Sequence, residues 1–310
     1  MAILGPARVL MVSGKGGVGK STVAAALAVA AAKRGERVLV ADLEDRESVG
    51  PIFGLPKLPH QEHHIEAGIT GLSVIPDEAL VEYFRVVYRV PKFSRALLRS
   101  KAVEFATQTA PGIRDILLIG SIMQAERSRH DGRVQYDRII VDAPPTGRLP
   151  RLLDAPRAIV ELVRAGPIKP QAQRVLDLVL DPRRLQVVLV TLPEEMPVRE
   201  TVEAVETLQK MDVTLGSIVV NGIWPALDSV GKNAKQKLRA PAEAAGLGAE
   251  ALDALAAVAS AHARRVANQR NTMTELSEQV TLPRIELPYL FTERIGRDEI
   301  DTLADLLEDQ

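Results

Sequence analysis

Short apolar runs alternate along the chain with longer stretches in which apolar residues recur every three or four positions. Val9-Leu10-Met11-Val12 is the first run, and an alanine-rich helical pattern follows it to about Arg34. Residues 37–40 are a second run, ending at Asp42, and residues 72–75 a third. From 77 to 126 the pattern is helical, broken at Pro91 and at Pro111-Gly112. Residues 136–142 form another strand-like run that ends in an acid. Residues 185–191 and 217–221 are strand-like, with an amphipathic helix predicted between them over 198–211. Residues 225–247, rich in Gly, Ala, Asp, Lys and Pro, are expected to be a mobile loop or linker. A long helix over 252–279, a last strand over 282–287 and an acidic amphipathic helix over 298–310 complete the chain. Strands alternating with helical patterns build parallel sheets covered on both faces. The predicted fold is α/β: one domain over 1–310, a doubly wound, mostly parallel sheet of about seven or eight strands. Helical insertions are expected at about 77–130 and about 225–280.

The chemistry enters between the first strand and the first helix. Gly14-Lys15-Gly16-Gly17-Val18-Gly19-Lys20-Ser21-Thr22 matches GxxxxGK[ST] in the strand–loop–helix context that a phosphate loop requires. The glycines let backbone N–H groups turn inward toward phosphate, and the helix that follows adds the positive end of its dipole. Lys20 is expected to reach the β- and γ-phosphates, and the Ser21 hydroxyl to ligate Mg²⁺. An ordinary glycine-rich turn does not explain Lys-Ser at the helix start. Asp42, at the carboxyl end of the second strand, faces the ligand crevice of such a sheet, where it can orient a water. The competing reading is a solvated loop acid. Asp142 ends an apolar strand and is expected to hold the Mg²⁺ shell, directly or through water. His60, His63 and His64 sit in a Pro-rich loop; without a further fixed ligand and a rigid element they read as solvated histidines rather than a metal site.

Two features narrow the class. Lys15, directly after the first glycine, makes the loop GKGGxGK[ST], a deviant Walker A. It resembles the signature of the dimeric ATPases that include the arsenite-pump ATPase, the guided-entry targeting factor, nitrogenase iron protein and the division-site and partition ATPases. In those families the extra lysine reaches the nucleotide of the facing subunit. Asp142-Ala143-Pro144-Pro145-Thr146-Gly147 resembles the second switch of the arsenite-pump and guided-entry branch, D-T-A-P-T-G-H, with Arg148 where that branch has His. The first switch keeps the leading Asp42 of D-P-A-H but reads Asp42-Leu43-Glu44-Asp45-Arg46, so Glu44 or Asp45 are open as sharers of water positioning. The resemblance runs over nearly the whole chain and is closest to short bacterial "anion-transporting ATPase" members. It implies a P-loop NTPase that binds ATP and Mg²⁺. It also implies Asn221 at the adenine edge, where Asn221-Gly222 otherwise reads as a turn, and Pro288 and Tyr289 in the adenine-flanking loop. Trp224 would pack beside the base or in the core.

Composition bounds what is left. There is no cysteine among 310 residues, which excludes disulfides, thiolate zinc, iron–sulfur ligation and arsenite held by thiolates. A net charge of −1 makes no global case for nucleic acid. No apolar run reaches the roughly 18 residues of a membrane span, and no charged n-region precedes an apolar stretch, so a cytoplasmic protein is expected. Tyr83, Phe84, Tyr88, Phe93 and Phe105 share the first insertion with Arg85, Arg89, Lys92, Arg95, Arg99 and Lys101. This reads either as aromatic core with a solvated basic face or as a docking surface for a protein or an acidic headgroup. The acidic last helix argues against the basic membrane anchor of division-site ATPases. The function expected is an ATP-hydrolysing dimeric switch that moves its insertions against a protein or membrane partner, as a homodimer or paired with a related ATPase chain. Rivals are a weakly hydrolysing regulatory subunit, a targeting factor or chaperone for hydrophobic segments, a partition-type ATPase and a small-molecule phosphotransferase.

Overall fold

The structure, a computed structural model, describes residues 4–44, 47–80, 112–164, 166, 168–227 and 233–308. The aromatic and basic stretch of the first insertion, Tyr83 to Phe105, lies outside the described residues, as do Asp45 and Arg46.

The strands are β1 (Val9–Gly14), β2 (Val38–Leu43), β3 (His63–Glu66), β4 (Ile69–Val74), β5 (Arg129–His130), β6 (Arg133–Val134), β7 (Arg138–Asp142), β8 (Leu185–Thr191), β9 (Leu215–Ile223) and β10 (Arg284–Pro288). The helices are α1 (Lys20–Lys33), α2 (Ile113–Arg127), α3 (Leu149–Leu162), α4 (Ile168–Leu180), α5 (Glu195–Lys210), α6 (Ala234–Ala244), α7 (Ala249–Gln279) and α8 (Arg297–Glu308). Eight strands form one sheet in the order β10-β9-β8-β1-β7-β2-β4-β3, parallel throughout except for the antiparallel edge strand β3. β5 and β6 make a separate small hairpin.

The central strands are buried along their whole length because helices cover both faces of the sheet. Their pleat divides the core in two. Val9 and Met11 face a layer with α2, α3, α4, α5 and the end of α7, while Leu10 and Val12 face α1 and α8. α1 is apolar nearly all round, as a helix sealed on every side must be, and its alanines let it lie close to the sheet. The acidic helix α8 docks on α1: Ile300, Leu303 and Leu307 are buried against it, and Lys33 of α1 meets Asp301 and Asp305. At the end of the sheet away from the loops that follow the strands, Arg37 grips Asp137 through its backbone N–H and its guanidinium, tying the starts of β2 and β7. That grip lowers the Asp137 carboxyl to about 2.

Two local expectations are corrected. Residues 225–247 are not a loop throughout: α6 occupies Ala234–Ala244 and packs Ala234 and Leu238 against Ala256 and Ala259 of α7. Packing of that kind, more than propensity, stabilises a short helix. His63 and His64 belong to β3 rather than to a loop, paired with Gly71 and Thr70. Gly71 has no side chain, and a Cβ there would collide with Ile65 and Leu58, so the glycine permits that edge to pair closely. Among the described residues no group of three or more metal-binding side chains occurs, and no helix is long and apolar enough to cross a membrane.

Candidate active site

Parallel strands present their carboxyl ends to one crevice, and the chain builds the sheet first on one side of β1 and then, crossing from β7 to β8, on the other. Around β1 the loops that follow β1, β2, β7 and β9 converge.

The turn after β1 depends on two glycines in left-handed backbone, Gly17 at φ 84° and Gly19 at φ 89°. Gly14 is needed for a different reason. A Cβ on it would lie 2.1 Å from the Val190 carbonyl oxygen of β8. Gly16 and Gly17 are exposed, and a Cβ on either would meet no atom within 4 Å. The loop therefore has an open inner side with room for a ligand against its backbone. Gly19 caps α1 without any side-chain bond, so the N–H groups of the first helical turn face the crevice.

Register brings the acids together. In the β2–β7 ladder Asp42 is the direct partner of Asp142, and Asp142 pairs with Val12 of β1. Both carboxylates are essentially fully buried, at 1% and 0% exposure. Ser21, in the first turn of α1, donates its hydroxyl to Asp142 Oδ2 at 2.6 Å. Ser48 donates from its hydroxyl to the same Oδ2 at 2.9 Å and from its backbone N–H to Asp42 Oδ2 at 3.2 Å. Lys20, also buried, donates its ammonium to the Lys15 carbonyl at 2.9 Å across the loop. Thr22 follows on the same helix start. A hydroxyl and a buried carboxylate at hydrogen-bond distance, beside a lysine and an open glycine turn, are the oxygen donors and the cradle that a Mg²⁺–phosphate group requires. The residues present fit that group.

The turn after β7 is strapped to β1 and the start of the glycine turn. Ser13 donates to the Pro144 carbonyl at 2.6 Å, Ala143 N–H to Val12, and Thr146 N–H to the Gly14 carbonyl at 3.2 Å. Pro145 accepts from the N–H groups of Arg148 and Leu149 and so starts α3, leaving Gly147 exposed at the mouth.

On the opposite flank, Asn221 near the end of β9 donates from Nδ2 to the Val18 carbonyl at 3.0 Å. Asn221 thus belongs to the strand and braces the loop; it is not a turn residue. Pro288 ends β10, and the N–H of Tyr289 bonds to the Ile223 carbonyl at 2.9 Å, which sets Tyr289 beside the end of β9. There its ring packs on Trp224 at 4.9 Å between centroids. A cavity of about 820 Å³ opens at this place, lined by Leu192, Gly222, Trp224, Tyr289 and the α7 residues His262 and Arg265. Arg265 lies over the indole at 4.3 Å, and Gln269 holds the Trp224 backbone at both N–H and C=O. Trp224 Nε1 is buried with no hydrogen-bond partner among the described residues.

Lys15 does not point to empty solvent. Its ammonium meets Glu200 of α5 at 2.6 Å. Glu200, Ser48 and Gln269 escaped the sequence reading. Each is an ordinary polar residue whose partner lies far along the chain, and no local spacing marks them.

A profile of the anion-transporting ATPase family matches residues 7–169 and 161–240. The ATPase BagA of Mycobacterium tuberculosis is 38% identical over 297 residues, covering 91% of this chain and 87% of its own length. The arsenical pump-driving ATPase of Acidiphilium multivorum is 26% identical, covering 71% of this chain and 40% of its own length. That of Escherichia coli is 25% identical, covering 70% and 40%. With the parallel sheet, the glycine turn and the paired strand-end acids in place, the match over most of the chain makes this protein a member of the anion-transporting ATPase family.

Proposed function

We propose that the chain is a Mg²⁺-dependent ATP hydrolase that works as a dimeric switch. The observation that carries this reading is the cluster of Ser21, Asp142 and Asp42 beside Lys20, at the mouth of an open glycine turn. In this reading the whole chain is one ATPase domain. Gly14, Gly16, Gly17, Val18, Gly19 and Thr22 supply the turn and the N–H groups that hold the phosphates. Lys20 leaves the Lys15 carbonyl to meet the β- and γ-phosphates. Ser21 and Asp142 would hold Mg²⁺, Asp142 directly or through water, and the ion, when bound, would offset charge on the phosphates. Asp42 accepts a proton-side hydrogen bond from the attacking water and aligns it. With one Nδ2–H of Asn221 committed to Val18, its Oδ1 is the atom offered to the adenine amino group. Pro288, Tyr289 and Trp224 then wall the base in the cavity beside Gly222. The partner's Lys15 reaches across a facing subunit, as an arginine finger does, a contribution of order 10³–10⁵ in rate. Pro144, Pro145, Thr146 and Gly147, strapped to Gly14 and Ser13, move when the γ-phosphate leaves, and the insertions engage a protein or membrane-protein partner.

Phosphate release by the purified chain over a wide range of protein concentration tests this. Specific activity should rise with concentration, fall to background in Lys20→Ala, and lose its concentration dependence in Lys15→Ala. Turnover in Lys20→Ala equal to the parent would overturn the site, and normal turnover in Lys15→Ala would overturn the intersubunit role. One observation favours a second reading, a weakly hydrolysing subunit paired with a related ATPase chain: Lys15 is held within its own chain by Glu200. ATP binding without turnover at any concentration, restored by a co-purifying second chain, would select it.

A further inference from the structure

Arg148 joins three segments that the ladder bonds of the sheet leave separate. It sits at the N-cap of α3, directly after the turn 142–147, and its N–H is fixed to the Pro145 carbonyl at 2.8 Å. One arm of its guanidinium pairs with Glu44, two residues beyond Asp42. The other arm donates to Asp115 Oδ1 at 3.2 Å, in the first turn of α2. Asp115 is 5% exposed, and Glu44 holds a φ of +74°, a left-handed backbone that residues with a Cβ avoid. The Glu44 N–H bonds to the Val74 carbonyl at 2.9 Å, so its strained turn is held at both backbone and side chain. Strained backbone of this kind persists only where its surroundings over-determine it, and it clusters at active sites and switch regions. The planar fork of arginine suits two carboxylates at once, where a lysine is a single point charge.

We propose that Arg148 is the positioning residue that makes the loops after Asp42 and Asp142 move as one and passes their movement to α2. The proposal rests on the ATPase reading above. When the turn 142–147 shifts, the N-cap of α3 shifts with it, and the guanidinium can keep Asp115 only by dragging the first turn of α2 or by releasing Glu44. Release lets the Glu44 turn relax and with it the placement of Asp42. Asp115 is the more deeply buried of the two carboxylates, in the first turn of α2, so losing the guanidinium costs it more than it costs Glu44, and Glu44 is the partner released.

The test uses the full chain as parent, Arg148→Ala, Arg148→Lys and Glu44→Gln. It reads three quantities: affinity for a fluorescent ATP analogue, kcat and KM for hydrolysis, and hydrogen exchange of the α2 amides with and without ATP. In the parent, ATP should change exchange in α2. In Arg148→Ala, affinity should stay within about twofold while kcat falls by about 5- to 150-fold and the ATP-dependent change in α2 disappears, the range of an ordinary coupling between sites. Arg148→Lys should not restore the response. Glu44→Gln, which removes the charge facing one arm without touching the contact with Asp115, should lose it as well, and it carries the test if Arg148→Ala does not fold. An Arg148→Ala or Glu44→Gln protein that keeps the parental kcat and the α2 response overturns the coupling. So does a lowered melting temperature with the ATP response intact, which is the result of a purely structural ion pair. A parent that binds no ATP at all overturns the ATPase reading and this proposal with it, whereas ATP binding with an unaltered variant overturns the coupling alone.

Discussion

Replacing Gly19 with alanine tests whether Asn221 braces the phosphate loop. Gly19 has φ 89° and ψ 28°, a left-handed conformation that costs an L-residue about 1–2 kcal/mol. Its new Cβ would also lie 2.3 Å from Asn221 Nδ2, far inside contact, so the amide must swing away. Swinging away breaks the 3.0 Å bond to the Val18 carbonyl, a loss of about 0.5–1.5 kcal/mol. Gly19→Ala should therefore lower stability by about 1.5–3.5 kcal/mol from the two effects together. Asn221→Ala alone should lose only the hydrogen bond. In the Asn221→Ala background there is no amide to displace, so Gly19→Ala should show only the backbone part. The double-mutant cycle, measured by urea unfolding of the four proteins, should give a coupling of about 1 kcal/mol. ATP affinity should fall in Gly19→Ala more than in Asn221→Ala, because the strained turn carries the N–H groups. Effects of the two substitutions that simply add, within about 0.5 kcal/mol, would refute the brace.

Two further outcomes follow from charge. Glu200→Gln releases Lys15 from a pair whose side chains are 31% and 35% exposed, a contact of the size of a surface ion pair. At about 0.2–1 kcal/mol, that release should raise turnover at low protein concentration by about 1.5- to 5-fold, and a variant slower than the parent would refute the latch. Asp137→Asn should lower the urea midpoint modestly at pH 7. Because the Arg37 hydrogen bonds hold the Asp137 carboxyl down at about 2 against an ordinary 3.8, its contribution is full above the ordinary value and is lost as pH falls toward 2. Parent and variant should therefore converge between those limits, and a gap that persists at the acid end would show that the pair is not its source.

Most elements were legible because their signals are local. The run 9–12, the glycine spacing 14–19 and the helix after it need only neighbours in sequence, and all three appear where expected. Asp142 at the end of an apolar run was readable for the same reason. The region 225–247 was not, because Pro241 within α6 and the glycines around it hid the helix, whose stability comes from packing Ala234 and Leu238 on α7 rather than from propensity. β3 was missed because an edge strand of four exposed or half-buried residues carries almost no apolar pattern.

The sequence by itself determined the parallel α/β architecture, the glycine turn between β1 and α1 and the acids at the strand ends, since periodicity and turn chemistry act over a few residues. Only the tertiary structure decided which side chains meet: Asp42 opposite Asp142 with Ser48 between them, Asn221 on Val18, Lys15 on Glu200, and Arg148 on both Glu44 and Asp115. Each of these pairings depends on sheet register or on the angle at which a loop leaves its strand. Those are set by the packing of the whole core on both faces of the sheet, and no short window of residues encodes them.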